Sequence, residues 1–258
     1  MKLYLKYFSI HLKSLMQHKV SFFLTTIGQF ITSFAGFLSI YFMMSRFNRI
    51  EGFAFGETLL CFSVVMTSFA LAECFFRGFD AFSVMIGNGE FDRIMLRPRN
   101  EIFQVLAAKI DFSRLGKLVQ AVIVAAWAFP NCGIAWTADK VLTVILMMVS
   151  GTAVFSGLFV IYAAICFFTT DALEFMNLFT DGGREFGRYP FSVYGEGVLK
   201  FFTFVIPLAL FQYYPLLYLT GRCTSMLYAA APLFGFVFLL PCYAIWKIGI
   251  KHYKSTGS

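Results

Sequence analysis

Residues able to do chemistry are few in this sequence, and they do not converge. The histidines, His11, His18 and His252, lie far from any apolar midpoint, and the cysteines, Cys61, Cys74, Cys132, Cys166, Cys223 and Cys242, are scattered without a CxxC spacing. Neither set offers the convergent ligands that a metal site takes. No HExxH, GxSxG or GxxxxGK(S/T) occurs, so the chain supplies no metallopeptidase helix, no nucleophile elbow and no phosphate-cradling loop of its own. The expectation is a non-enzyme with no catalytic, metal-binding or cofactor-binding residues. One stretch stands out, "GNGEFDRIMLRPRNEIF" at 87–103, which gathers Glu90, Asp92, Arg93, Arg97, Arg99 and Glu101 into a few turns. Glycines at 87 and 89 permit a turn, "EFDRIML" suits a short helix with Phe91, Ile94 and Met95 on one side, and Pro98 closes it. Such a helix suits a groove in a soluble partner, with apolar anchors and flanking charges for register. The bland alternative is a solvated loop whose charges keep it out of lipid. Arg97 either pairs with Asp92 or Glu101 inside the block or contacts a partner directly.

The elements around this block are apolar. Of 258 residues, 59% are hydrophobic and 14% charged, and the mean hydropathy is +0.74, whereas a soluble domain carries roughly 25% charged residues. A helix needs about 20 apolar residues to cross a hydrocarbon core of ~30 Å. The pattern predicts an all-α polytopic membrane protein with spans at about 20–45, 56–79, 114–131, 141–170, 200–221 and 224–246. A barrel is disfavoured, because its strands would alternate polar and apolar in blocks of about ten residues. The first charge-free run, from Val20, is too long for a signal h-region of about 7–15 residues and reads as a span. Before it, residues 1–19 mix Lys2, Lys6, Lys13 and Gln17 with Leu3, Tyr7, Ile10 and Leu15 at helical spacing, which suits a helix in the headgroup region or a plain basic flank.

Basic residues collect on the cytoplasmic side. With both termini inside, only Arg46, Arg49, Lys140 and Arg222 of the 21 basic residues fall outside. The net charge of +7 is then a mark of membrane orientation, and nucleic acid is not an expected partner. The outer loops are short, while 80–113 and 171–199 form cytoplasmic loops where a soluble partner could bind. Cys132 and Cys223 both fall outside, so a disulfide between them is open.

Ionisable residues within spans mark function by default, and here they sit at the inner ends. Glu73, Arg77 and Asp80 at the end of the second span suggest an inner gate or interface; Arg188, just before Tyr189 and Pro190, suggests an interface or a headgroup anchor. "SGTAVFSG" at 150–157 supplies small residues for close helix packing. Pro207, Pro232 and Pro241 are expected to kink the fifth and sixth spans. No internal repeat of the kind many ion-coupled transporters carry is visible.

"GEFDRIMLRP" at 89–98 with "FQVLAAKIDFSRLGK" at 103–117 resembles the inner loop between the second and third spans of bacterial type-two ABC-transporter permeases, in the six-span branch that works with a separately encoded ATPase. "RYPFSVYGEGVLKFFTFVIPLALFQYYPLLYLTGR" at 188–222 is similar to that branch's stretch into and through the fifth span, and "YKSTGS" at 253–258 to its end. Together these cover about a quarter of the chain. The resemblance implies a permease subunit in the bacterial cytoplasmic (inner) membrane, paired with a second permease and docked on an ATP-binding cassette ATPase that holds ATP and Mg. It makes the charged block a coupling helix, with Glu90, Phe91, Asp92, Arg93, Met95, Arg97 and Pro98 at the ATPase contact. The family mostly exports, and 35 Phe suit a hydrophobic or amphipathic cargo such as a drug, peptide or lipid, as they also suit lipid. The alternatives are a self-contained secondary transporter or channel, or a membrane assembly or regulatory protein.

Overall fold

The computed structural model describes residues 2–47, 49–169 and 174–253, without the side chains of residues 2, 3, 5, 77 and 174. The elements that matter are helices: α1 Lys2–Leu15, α2 Lys19–Arg46, α3 Phe55–Asp80, α4 Phe82–Gly87, α5 Glu90–Met95, α6 Glu101–Ala108, α7 Leu115–Asn131, α8 Ala138–Ile165, α9 Glu174–Phe186, α10 Glu196–Phe204, α11 Leu208–Leu219, α12 Met226–Gly235 and α13 Leu239–His252. Among the described residues the β pairing is confined to an isolated bridge between Ile50 and Phe53. The protein is an all-α polytopic membrane protein. Five helical stretches are long and apolar enough to cross a membrane, with α12 and α13 running together as one, and a bent pair, α10 and α11, brings the number to six if counted as a crossing.

Helix α3 is the hub, lying between α7 and α8 with Leu59, Phe62, Phe69 and Phe79 fully buried. Small residues set the spacing. Gly116 brings α7 so close to α2 that a Cβ there would run into the Thr26 carbonyl oxygen. The small residues of "SGTAVFSG" act as packing surfaces: Ser150 Oγ donates to the Pro232 carbonyl at 2.6 Å, and a Cβ on Gly157 would lie 2.9 Å from Cys242 Sγ. One face of α2 is bare, with Phe23, Leu24, Ile27, Ile31 and Phe42 exposed, as a lipid-facing helix requires. Cys132 and Cys223 do not pair, and all six cysteines are free. The Cys132 thiol is buried and donates instead to the Phe129 carbonyl at 3.1 Å.

The fifth span differs from the single helix expected over 200–221. Helices α10 and α11 meet at 114°, with Pro207 capping α11. Proline brings no amide hydrogen, and its ring clashes with the carbonyl four residues back, so a helix kinks or, as here, breaks at it. Helix α11 alone is only about 18 Å long, too short for a ~30 Å core. Helix α9 packs its C-terminal end into the bundle beside this break: Arg184 lies over the ring of Phe69 halfway along α3, and a Cβ on Gly183 would lie 2.9 Å from Leu208 Cδ1 at the start of α11. The segment expected as a cytoplasmic loop, 171–199, thus carries its residues 183–188 into the bundle, since the polar residues that made it look like a loop are satisfied there by other charges.

Candidate functional site

The cytoplasmic block forms a compact hairpin of short helices. Gly89 opens α5 at φ +67°, a left-handed conformation that glycine adopts without strain, and the Asn100 side chain caps α6 by accepting from Phe103 N at 3.2 Å. Gln104 Nε2 ties the two together by donating to the Ile94 and Arg99 carbonyls at 3.0 and 3.1 Å. The turn of α5 decides which residues a partner could meet. Phe91 is 0% exposed and Ile94 is buried, so they are not anchors for a foreign groove. Phe91 instead fills an aromatic cage, its ring centroid 5.1 Å from Phe82, 5.2 Å from Phe167, 6.3 Å from Trp246 and 5.1 Å from Tyr253. Asp92 also turns inward and accepts a hydrogen bond from Tyr253 Oη at 3.0 Å. Burial and that bond push the Tyr253 phenol up to about 12.

The outward face carries Glu90, Arg93, Met95, Leu96, Arg97, Pro98 and Arg99. Glu90, Arg93, Arg97 and Arg99 line one wall of a cleft of about 470 Å³ between α1, α5 and α6, with Tyr7 opposite. Arg97 makes no ion pair among the described residues; Glu101 pairs instead with Lys247 of α13 at 3.5 Å. The block is thus tied to the ends of α8 and α13, and its unsatisfied side faces away from the bundle.

A second constellation lies deeper. Glu73, on α3, accepts from Lys117 Nζ at 2.6 Å and pairs with Arg114 Nη1 at 3.2 Å, all three side chains largely buried. Arg114 also binds Asp111 at 3.1 Å and donates to Gln29 Oε1 at 3.1 Å. Asp111 lies outside the spans; burial alone would raise its carboxyl, but bonds from Ser113 and the Arg114 guanidinium outweigh this and hold it below its usual value. Nearby, Arg184 pairs with Glu185 at 2.7 Å and Asp181 at 3.4 Å, and Arg188 binds Glu185 through both terminal nitrogens at 2.7 Å. The Lys117 and Arg184 cations lie 5.4 and 4.9 Å from the centroid of one ring, Phe69. Charges cannot sit at such depth unpaired, and here each acid meets a base.

Of the gate residues expected from sequence, Glu73 and Arg188 enter this network. Asp80 ends α3 half-buried, and the Arg77 side chain is outside the described residues. Arg188 is no headgroup anchor, because its guanidinium reaches across to Gly36 in the middle of α2. Arg114, Lys117, Arg184 and Glu185 were not anticipated. The available signal was the spacing of Asn177, Asp181, Arg184 and Arg188 against Phe175, Phe179 and Phe186, which is that of an amphipathic helix.

A family described as "ABC-2 family transporter protein" matches residues 30–257. The chain belongs to the ABC-2 transporter family. No curated protein and no solved structure matches it. As an ABC-2 protein it is the membrane-embedded permease component of an ABC transporter, and its apolar helices agree with a multi-pass membrane protein.

Proposed function

We propose that this chain is the permease subunit of an exporter of hydrophobic or amphipathic cargo in a bacterial cytoplasmic membrane, paired with a second permease copy or relative. A separately encoded ATPase, holding ATP and Mg, drives it by docking on the outward face of α5. The observation that carries this reading is the two-sidedness of α5. Phe91 and Asp92 lock it to α13 and to Phe167 beyond α8, while Glu90, Arg93, Met95, Leu96 and Arg97 stand exposed as a ridge of charge around a small apolar tip. A force on that ridge meets Trp246 of α13 and Phe167 just beyond α8 through packed rings. Glu73, Arg77, Asp80 and Arg188 stay assigned to the inner gate or permease interface, now joined by Lys117, Arg114 and Arg184.

The test is purification of the full chain from its native membrane in mild detergent, with identification of the chains that accompany it. A P-loop ATPase is expected. Its recovery should fall by about tenfold or more in Arg97→Ala and Glu90→Lys, the scale of losing a charged contact at an interface, and stay unchanged in Lys140→Ala on the outer side. Absence of any ATPase, or full recovery in both α5 variants, would overturn the docking assignment.

A further inference from the structure

At the break in the fifth crossing, polar atoms are buried without partners. Among the described residues, Thr67 Oγ1, Gln120 Nε2, Arg184 Nε, Arg188 Nε, Ser192 Oγ and Gln212 Oε1 are buried and make no hydrogen bond. Four of them, on Gln120, Arg184, Arg188 and Gln212, follow one seam. Gln120 is held between α7 and α2 by Ser33 at 2.8 Å, Arg184 lies over the Phe69 ring of α3, Arg188 abuts Gly36 of α2, and Gln212 donates to the Tyr189 carbonyl at 2.8 Å from α11. Gln120 and Gln212 are almost wholly buried. Leaving such an atom unpaired is costly, and native folds keep only a few. Irregular backbone at membrane depth, as in 187–195, occurs where it is buried in protein or lines a polar path.

The chemistry of the unpaired set states what would satisfy it. The Arg184 and Arg188 Nε–H groups and the Gln120 amide are donors only, the Thr67 and Ser192 hydroxyls can donate, and Gln212 Oε1 alone must accept. The carboxylates that hold the two guanidinium heads, Asp181 and Glu185, are the exposed members, at 54% and 41% side-chain exposure. These carboxylates leave the Nε–H donors of both arginines unused, and those donors are what an incoming anion gains.

We propose that the seam between α2, α7 and α9 receives an oxyanion, a phosphate, sulfate or carboxylate, carried as the head of an amphipathic cargo, with Arg184 and Arg188 as its binding residues and the apolar remainder left on the lipid side. This rests on the permease reading and names the cargo class for it. The bidentate fork of arginine matches a planar or tetrahedral oxyanion. The 114° break between α10 and α11 beside it is the kind of interruption that discontinuous helices place at other transport sites.

The test places the full chain in nanodiscs of phosphatidylcholine, without an ATPase, and exposes it to a photoactivatable dodecyl phosphate or to the dodecyltrimethylammonium analogue. Mass spectrometry then locates the labelled peptides. The phosphate analogue is expected to label peptides of α2, α7 and residues 183–192 about tenfold more than the ammonium analogue, the ratio of a single charged contact. Arg184→Gln and Arg188→Gln should lower this labelling by a similar factor. Gly36→Ala, which crowds the Arg188 guanidinium without removing charge, should lower it too. Equal labelling by the two analogues overturns the proposal, and that comparison uses the natural chain, so a variant that fails to fold does not blunt it. Suppression by equimolar inorganic phosphate would make this a free-anion site and refute the amphipathic cargo. Because no ATPase is present, failure here leaves the co-purification result standing, and failure there leaves this one.

Discussion

Replacing Phe91 by alanine should release the coupling block from the bundle, not weaken its grip on a partner's surface. The Phe91 side chain is fully buried among the four rings that surround it. A buried Phe covers roughly 150–250 Å², so at ~25 cal/mol per Å² its removal forfeits about 4–6 kcal/mol as an upper bound. Large-to-small changes of this kind measure about 3–5 kcal/mol. Leu96, at 85% exposure, has almost nothing to lose, and Leu96→Ala should change stability by less than about 0.5 kcal/mol. Trypsin reads the difference at Arg93 inside α5, because cleavage there requires α5 to open. When opening is fast relative to cleavage, 3–5 kcal/mol multiplies the open population by about 10²–10³ or more. The expected result is rapid cleavage in Phe91→Ala, near-natural cleavage in Leu96→Ala, and partial protection in Phe91→Leu. Cleavage of Phe91→Ala at the natural rate would show that the aromatic cage does not hold α5, and the mechanical argument would fall with it.

In the deep network, Glu73→Ala should destabilise the detergent-solubilised protein by about 3–5 kcal/mol, because it strands Lys117, while Glu73→Leu with Lys117→Met should recover most of that; thermal melting of single and double variants decides. Tyr253→Phe should flatten the alkaline limb of stability. Its phenol is raised from 10.0 to about 12 in the fold, so the contribution is complete below about pH 10, is lost as pH rises to about 12, and should be missing from the variant's melting profile. Asp111 gives the opposite sign: its folded value lies below 3.8, so its contribution is present above about pH 4 and lost as pH falls through the folded value, and Asp111→Asn should lose that acid step. Cysteines introduced on a background without the natural six should label from outside at Asp139 and not at Asn100; labelling of Asn100 from outside would invert the topology.

The sequence by itself determined what one-dimensional physics can: that the chain is a helical membrane protein, where α2, α3, α7, α8 and the α12–α13 stretch run, and that no P-loop or metal motif is present. Hydrophobic length sets those features, and hydrophobic length is additive along the chain. The short helix α5 was also legible, since Gly89 and Pro98 punctuate it locally. Its orientation was not. Phe91, Ile94 and Met95 share a side on paper, but only the rings of Phe82, Phe167, Trp246 and Tyr253, brought from distant parts of the chain, turn Phe91 inward and leave Met95 and Leu96 outside. Residues 183–188 misled for the same reason. Arg184 and Arg188 look like loop residues because a lone charge is too costly for lipid, and that cost disappears only when Glu185, Asp181 and the face of Phe69 meet them in the folded bundle. Pairing across the chain is a property of tertiary structure, and it is pairing that decides where a charged helix can lie.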